Sequence, residues 1–519
     1  MPTTQHAEIE RKFDVAQATA VPDLRGVHGI AGLGAPTTFR LTAAYLDTAG
    51  LDLARRHITL RRREGGADAG WHLKVESGRD ERTEHRCPLG VSESVPEGLS
   101  DLIRGVVRDR PLDLVARLHT RRTETPLLDR AGDVLALLCD DEVEAETYAP
   151  DPTTAGRGDP VHESTMRWRE WEIELVGGDR SLLAAAARVL LAAGAHPGVS
   201  PSKLAHALAD RLPEPEAHVA HDPKTMSTAA LLRRRLVRQL LALEVQDRAF
   251  RAGEPTAVHQ MRIATRRLRS ALATFAPALL DGTTERYRED LRWLGLTLGA
   301  ARDAEVLHAR LRAELATLPP DEVVGPVADR IDRSFEQEYA AGRREALEAL
   351  TSPRYYRLLD DLEACAHDLP IGPSGAHRAT ETVPELLRRD ADRFTRAAAQ
   401  VAHATDRAVR DTALHETRKK AKRLRYLAET AVPVYGKRAK RVVRRAKRVQ
   451  ETLGIHQDAV VARERLAHVA AQAKEAGEDT STYERLQALE TAAALRAEAA
   501  YDAVLPDLYR GALPRLSRG

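Results

Sequence analysis

The sequence predicts an α+β chain of two unlike domains, an antiparallel β domain followed by an all-α one. Three observations predict it. Residues 1–176 carry short stretches that alternate in side-chain type between turn signals, whereas from Met226 onward apolar residues recur with a period near 3.6. Between them, LPEPEAHVAHDP (212–223) has prolines and polar residues that cannot build a core and reads as a linker. The helical part also repeats itself. VHQMRIATRRLR, from Val258, returns as LHETRKKAKRLR from Leu414, and LGAARDAEV (298–306) returns as LGIHQDAVV (453–461), at offsets of 156 and 155. That spacing far exceeds a solenoid period and points to a duplicated helical bundle. The expected boundaries are 1–210, a linker over 211–223, and 224–517.

Composition narrows the function classes. Lys plus Arg (79) nearly cancels Asp plus Glu (77), so the net charge of +2 predicts no polyanion partner by itself. Aromatics at 4% argue against stacking single-stranded bases. Cys87, Cys139 and Cys365 are too few and too scattered for a disulfide framework, which fits a reducing compartment. The opening MPTTQHAEIERKF has no apolar signal-peptide core, and the longest apolar run, 182–195, is broken by Arg188. That run falls short of the roughly 20 residues of a membrane span. A soluble, cytoplasmic protein with no membrane partner is expected.

Taken in order, the strands are separated by Gly65-Gly66 and Ala69-Gly70 before Trp71, by Arg130–Gly132 before Val134, and by Gly177-Gly178 after Leu175. The Pro/Gly/Thr-rich stretch around 150–162 reads as a long exposed loop. Residues 181–210 read as helical, with Ser181 as N-cap and Pro197 interrupting. Prolines at 277, 319, 320, 353, 370, 384 and 433 punctuate the helices that follow.

Charges occupy alternate strand positions: Glu8, Glu10 and Lys12; Arg61 and Arg63; His72 and Lys74; Arg82, Glu84 and Arg86; Glu172 and Glu174. One wet face of an antiparallel sheet is the ordinary explanation. Against it, Arg11 and Arg62 stand on the opposite face, so neither side is cleanly apolar. A barrel with charges pointing inward around a polar ligand is the alternative. Carboxylates hold hard divalent ions, and Arg and Lys take phosphate oxygens, which together suit a metal-bound polyphosphate.

These residues resemble the CYTH, or triphosphate tunnel metalloenzyme, family. Glu8-x-Glu10-x-Lys12 is similar to its E-x-E-x-K signature. Tyr45-Leu-Asp47-Thr48, Leu60-Arg61-Arg62-Arg63, Leu73-Lys74, Arg82-x-Glu84, Arg121-Arg122, Asp140-Asp141, Glu172-x-Glu174 and Ser202-Lys203 follow in the family's order. The resemblance implies an eight-stranded antiparallel barrel enclosing a tunnel, and hydrolysis of a triphosphate-type substrate with Mg²⁺ or Mn²⁺. It assigns catalysis to Glu8, Glu10, Lys12, Glu172 and Glu174, and phosphate binding to Lys12, Arg61, Arg63, Lys74, Arg82, Arg122 and Lys203. Glu8, Glu10, Asp141, Glu172 and Glu174 are the implied metal ligands. Alternation alone does not choose between Arg121 and Arg122, or between Asp140 and Asp141. Arg86 stands where many relatives carry a third acid. The family includes adenylyl cyclases, but the sequence offers no base-recognition feature.

In the helical part, His259, Arg262, Arg266 and Arg269 fall at relative positions 0, 3, 7 and 10, within roughly 80° of arc on one helix face. His415, Arg418, Lys422 and Arg425 repeat that spacing. Residues 418–448 hold 14 Lys or Arg against the single acid Glu429. Solvated faces normally mix signs, and such self-repulsion would be relieved by a bound polyanion. Both repeats resemble the CHAD family, over about 222–517. That resemblance implies two four-helix bundles related by a pseudo-two-fold axis, with inorganic polyphosphate as ligand. The residues it places at the site are the two stripes with Arg267, Lys419, Arg423, Lys437, Lys440, Arg441 and Arg444. Metal binding by the histidines is not expected, because cations follow each of them.

The expected function is therefore metal-dependent hydrolysis of inorganic triphosphate or short polyphosphate, with the helical domain holding longer chains, in the cytoplasm or at polyphosphate granules. A non-catalytic polyphosphate sensor is the first alternative, though a pure binder has no use for carboxylates that repel phosphate. A nucleic-acid-binding protein is the second, disfavoured by few aromatics and no base-reading motif. Neither oligomeric state nor preferred chain length is written in the sequence.

Overall fold

The computed structural model describes residues 3–511 except 79, 91, 151–159, 213–221 and 223–224. Most of the expected linker, most of the expected 150–162 loop, and residues 512–517 lie outside the described residues. The chain divides into two compact units, Met1–His218 and Val219–Gly519.

Among the described residues, ten strands build the first unit: β1 (Thr4–Val15), β2 (Gly32–Leu33), β3 (Thr37–Asp47), β4 (Ile58–Glu64), β5 (Gly70–Gly78), β6 (Glu81–Pro88), β7 (Asp113–Leu128), β8 (Val134–Ala149), β9 (Val161–Leu175) and β10 (His196–Pro197). Eight of them bond in the order β1-β6-β5-β4-β3-β7-β8-β9, and β9 pairs back onto β1, so the antiparallel sheet closes on itself. Closure covers the edges of β1 and β9 over Glu10–Val15 and Arg169–Glu174. Registry follows charge: Glu8 lies opposite Arg82, Lys74 opposite Glu84, Arg122 opposite Asp141, and Lys12 opposite Glu172.

The apolar cores lie mainly outside this ring. Helix α1 (Glu97–Val107) packs Leu99, Leu102, Ile103 and Val106 on Leu60, Leu73 and Val75. Helix α2 (Arg180–Ala192) packs Leu182, Leu183, Ala186 and Leu190 on Phe13, Trp171 and Ile173. Each such fully buried side chain contributes about 1.5–3 kcal/mol. Helix α3 (Lys203–Ala207) does the reverse, setting Leu204 and Ala207 against Ala43, Tyr45 and Leu118.

Two expectations need correction here. Helix α1 lies within a region read as strands; its apolar residues have helical spacing, and the helix starts directly after Pro96. The N-cap of α2 is Asp179, not Ser181, because the Asp179 carboxylate accepts from the N–H groups of Ser181 and Leu182.

The second unit is all helix: α4 (Thr228–Arg251), α5 (Ala257–Phe275), α6 (Glu285–Leu315), α7 (Val327–Leu350), α8 (Pro353–His367), α9 (Ala379–His403), α10 (Arg407–Tyr435), α11 (Lys437–Glu475) and α12 (Ser481–Gly511). The repeat maps α5 onto α10 and α6 onto α11, so α4–α7 and α9–α12 are the two four-helix sets. They share one core, in which Leu232, Leu268 and Leu298 belong to the same cluster as Phe394, Leu424 and Leu453. A smaller cluster joins Leu311 and Phe335 to Leu466 and Tyr483.

Pro384 and Pro433 lie inside α9 and α10 rather than between helices. Proline at 384 has no N–H for the carbonyl four residues back, at Thr380; the Tyr435 hydroxyl donates to that carbonyl instead, at 3.0 Å. No helix among the described residues is long and apolar enough to cross a membrane.

Candidate active site and cationic face

A cavity of about 310 Å³ occupies the barrel interior. Strand alternation delivers its charged lining. Glu8, Glu10 and Lys12 come from β1, Arg61 and Arg63 from β4, Lys74 from β5, Arg82 from β6, Arg122 from β7, and Glu172 and Glu174 from β9. Lys203 enters from α3. The structure thus brings every expected catalytic and phosphate-binding residue of the first unit into one cavity.

Asp141 stands just behind this lining, fully buried, bonding Arg122 at 2.8 and 2.7 Å and Lys203 at 2.9 Å. Asp140 points the other way, where it accepts from Arg169 at 2.8 Å and from the Trp171 indole at 3.1 Å. Arg122 faces inward, while Arg121 reaches Glu142 at 3.3 Å on the exposed side. Arg11 and Arg62, the two cations that disturbed the face pattern, bond Asp80 and Glu64.

Within the cavity the charges form a connected lattice. Lys74 bonds both Glu8 oxygens at 2.6 Å; Lys12 lies 3.1 Å from Glu10 and also bonds Glu172; Arg82 bonds Glu10. Burial raises the Glu10 carboxyl, but Lys12, with Lys74 and Arg82, outweighs it and holds the group down at about 2. Glu172 is likewise held well below the usual range, because Lys12, Lys203 and Arg122 override its burial.

Glu174 is the exception. Among the described residues it has no ion pair, and burial together with the Glu8 charge pushes it up to about 7. Arg61 is the cationic counterpart. Its Nη1 reaches the Tyr45 hydroxyl at 3.3 Å, while its buried Nε has no acceptor among the described residues.

Sequence reasoning missed Glu170. Its oxygens lie with those of Asp141 and Glu172 within 4.8 Å of one another, and Lys203 Nζ sits among the three at 2.7, 2.9 and 2.6 Å. The signal was present, since Glu170 keeps phase with Glu172 and Glu174. Glu84 is fully buried and bonds His72 at 2.7 Å, Arg86 at 2.6 Å and His6 at 2.8 Å, so it braces the wall. Arg86 itself lines the cavity. Asp47 caps a turn by accepting from the N–H groups of Thr48, Leu53 and Ala54 at 2.7, 2.9 and 2.9 Å.

In the second unit, α5 and α10 turn their apolar faces inward through Met261, Ala264, Leu268 and Leu272, and through Thr417, Ala421, Leu424 and Ala428. That leaves the two stripes together. Arg262 and Arg266 lie in the field of Lys422, as do Arg418 and Arg425. Burial and these four guanidiniums push the Lys422 ammonium down to about 7. His259 and His415 are also lowered, first by burial, then by Arg302 beside His259 and by Lys419 beside His415. The sole acid of the basic run, Glu429, lies 3.2 Å from Arg235, 3.1 Å from Arg267 and 3.3 Å from Arg425.

The other expected cations divide. Arg423 is held by Asp390 at 2.8 Å and Lys419 by Glu416 at 2.6 Å. Lys437, Lys440 and Arg444 are exposed on the first turns of α11, and they and Arg441 have no acidic partner among the described residues. Asp303 pairs with Arg262 at 2.6 Å.

A CYTH domain model matches residues 6–207 and a CHAD domain model residues 234–467. The chain belongs to both families.

An uncharacterized protein of Mycobacterium tuberculosis is 41% identical over 513 residues, covering 97% of this chain and 96% of its own length. Among solved structures, the CHAD domain from the plant Ricinus communis is 26% identical, covers 58% of this chain and 97% of its own, and has a TM-score of 0.44. PptA from Streptomyces chartreusis is 23% identical, with 54% and 99% coverage and a TM-score of 0.46. CYTH proteins are phosphohydrolases or cyclases of the triphosphate tunnel type, and their tunnels are metal-dependent.

A second cluster of potential metal ligands among the described residues, Asp411, His456 and Glu498, lies in the CHAD unit. There Arg407 already supplies a cation, 2.8 Å from Asp411 and 3.0 Å from His456, so the group reads as a buried ion network.

Proposed function

We propose that the CYTH cavity hydrolyses inorganic triphosphate or short inorganic polyphosphate with Mg²⁺ or Mn²⁺, and that the α5–α10 face of the CHAD unit binds inorganic polyphosphate. The supporting observation is the composition of one cavity: Lys12, Arg61, Arg63, Lys74, Arg82, Arg122 and Lys203 beside Glu8, Glu10, Glu172 and Glu174. Such a lining neutralises a polyphosphate and supplies hard oxygen donors at the same place.

The donor set fits a divalent cation. Glu174, which has no ion pair among the described residues and is crowded by Glu8 and Glu10, is a carboxylate whose charge a metal ion would stabilise. Glu8, Glu10, Glu172 and Glu174 would hold the metal. The bound metal supplies charge neutralisation and a more acidic water. The protein's own part is positioning. Arg61 and Arg63 line the cavity two residues apart on β4, and the buried Arg61 Nε has no acceptor among the described residues. Lys203 and Arg122 are fixed by Asp141, so their positive charge is preorganised where negative charge grows on the leaving phosphate.

On the CHAD unit, guanidiniums without enough acids to pair them are the supporting feature. Arg266 and Arg418 each bury an Nε with no acceptor among the described residues. Tethered to the enzyme, bound long chains would raise the concentration of chain ends available for cleavage. The working place would be the cytoplasm, at polyphosphate granules.

The test is a substrate panel with the full chain: triphosphate, short polyphosphate, ATP and thiamine triphosphate, each with and without Mg²⁺ or Mn²⁺. Preferential metal-dependent release of phosphate from the inorganic substrates supports the reading, and preference for an organic triphosphate overturns that part of it. Competition between long polyphosphate and RNA for the CHAD unit, followed by anisotropy, tests the other half; RNA displacing polyphosphate would contradict it.

A further inference from the structure

Glu429 is the one acid in a run that holds 14 Lys or Arg, and the duplication does not account for it. At the offset of 156 its counterpart is Ala273, and the counterpart of the nearby Tyr426 is Ser270. The second repeat thus carries an acid and a ring that the first lacks. The Glu429 carboxylate divides itself between the repeats. Its Oε2 lies 3.2 Å from Arg235 Nη2 on α4 and 3.1 Å from Arg267 Nη2 on α5. Its Oε1 lies 3.3 Å from Arg425 Nε on α10. Arg267 and Arg425 also stand over the buried Tyr426 ring, 5.7 and 4.8 Å from its centre. One guanidinium from each repeat is therefore held by the same carboxylate and the same ring. Arg235 differs from them: only 3% of it is exposed, so it anchors the carboxylate rather than meeting a ligand. A guanidinium has five N–H donors, more than one carboxylate oxygen takes up, so Arg267 and Arg425 can hold a second anion.

We propose that Glu429 is a positioning residue of the polyphosphate site: it fixes Arg267 of one repeat against Arg425 of the other, so that a single chain runs across both stripes. The proposal rests on the reading of this face as a polyphosphate site. Its consequence is opposite in sign to that of simple electrostatics. An acid on a basic face repels a polyanion, so its removal alone should strengthen binding. An acid that positions two cations has the reverse effect. Without it Arg267 and Arg425 repel one another out of their places, and binding weakens.

The experiment titrates the full chain and its variants with inorganic polyphosphate at several salt concentrations, beside urea unfolding. Glu429→Gln keeps the shape and removes the charge. It is expected to bind about tenfold more weakly, although the chain gains positive charge, and to lose about one unit of slope in log affinity against log salt. The same change takes from buried Arg235 its ion-pair partner, which lowers stability. Arg235→Met/Glu429→Gln removes that stranded cation: its urea midpoint should return towards wild type while its affinity stays low. Glu429→Asp, which keeps the charge, should bind nearly as wild type does. Glu429→Gln binding as tightly as wild type or more tightly overturns the proposal and leaves the polyphosphate reading standing. So does affinity that returns with stability in the double variant, since Glu429 would then serve the fold alone. A wild-type chain that binds no polyphosphate overturns both.

Discussion

Lys203 Nζ lies 2.9 Å from Asp141 Oδ2, joining the short helix α3 to strand β8 across the barrel interior. Glu170 and Glu172 complete the shell at 2.7 and 2.6 Å, and together they hold Lys203 charged well beyond its ordinary range despite burial. Helix α3 is thus fastened to the barrel by the charge that faces the cavity.

Removing that charge takes a cation from three buried carboxylates: Asp141 keeps Arg122 and Glu172 keeps Lys12 and Arg122, while Glu170 has no other cation among the described residues. Lys203→Ala is expected to cost about 3–5 kcal/mol, read as a lower urea midpoint. Adding Asp141→Asn should recover part of the loss. Lowering the pH should narrow the gap to wild type, because the acids deprived of Lys203 then protonate.

Glu174 sets a pH dependence of the opposite sense from Glu10. Its carboxyl is raised to about 7 from an unfolded value of 4.5, so the native state binds the extra proton and stability falls as pH rises between those values. Glu10, held at about 2, contributes stability above 4.5 that is lost as pH falls towards 2. Glu174→Gln should flatten the fall between 4.5 and 7 by on the order of 1–3 kcal/mol, measured by denaturant unfolding across pH. In the wild type, Mg²⁺ affinity should climb with pH up to about 7 as Glu174 gives up its proton, and calorimetry on the variant should lose that climb.

On the CHAD face the same logic applies to binding. Lys422 is protonated below about 7 and neutral above it, and a polyanion favours the protonated form. Polyphosphate affinity should therefore fall as pH rises through that value, and Lys422→Arg should make the profile flatter. High salt should weaken both proteins.

The L-G-x-x-x-D element explains itself through its glycines. A Cβ on Gly299 would meet the Arg262 guanidinium at 3.7 Å, and one on Gly454 would meet that of Arg418 at 3.6 Å, both ordinary contacts. Gly299→Ala and Gly454→Ala should be neutral or stabilising by up to about 1 kcal/mol, since alanine is the better helix former. Leucine at either place should displace the arginine and weaken polyphosphate binding. Gly342→Ala differs in kind, because its Cβ would lie 2.6 Å from the Ala301 backbone nitrogen, and thermal unfolding should show a clear loss.

Much of this was legible because strand and helix periods are short and rigid. Glu8, Glu10 and Lys12 are two residues apart and so share a wall; His259 and Arg262 are three apart and so share a stripe. Asp140 and Asp141 were not separable, because both sides of β8 carry partners for an acid: Arg169 and Trp171 outside, Arg122 and Lys203 inside. Helix α1 hid among strands because a single eleven-residue helix leaves only three turns of pattern. Pro384 looked like a break because its rescue, the Tyr435 hydroxyl, lies 55 positions beyond the Thr380 carbonyl it serves, where no local rule reaches. The shared core of the two repeats was invisible for the same reason.

The most direct measurement is phosphate release from inorganic triphosphate by the full chain, with and without Mg²⁺ or Mn²⁺, beside a Glu8→Gln/Glu10→Gln variant of matched stability. The account predicts metal-dependent turnover that the variant loses by about a hundredfold or more, in line with removal of charge-stabilising groups. Turnover equal in both, or none on any triphosphate while polyphosphate still binds, would contradict it.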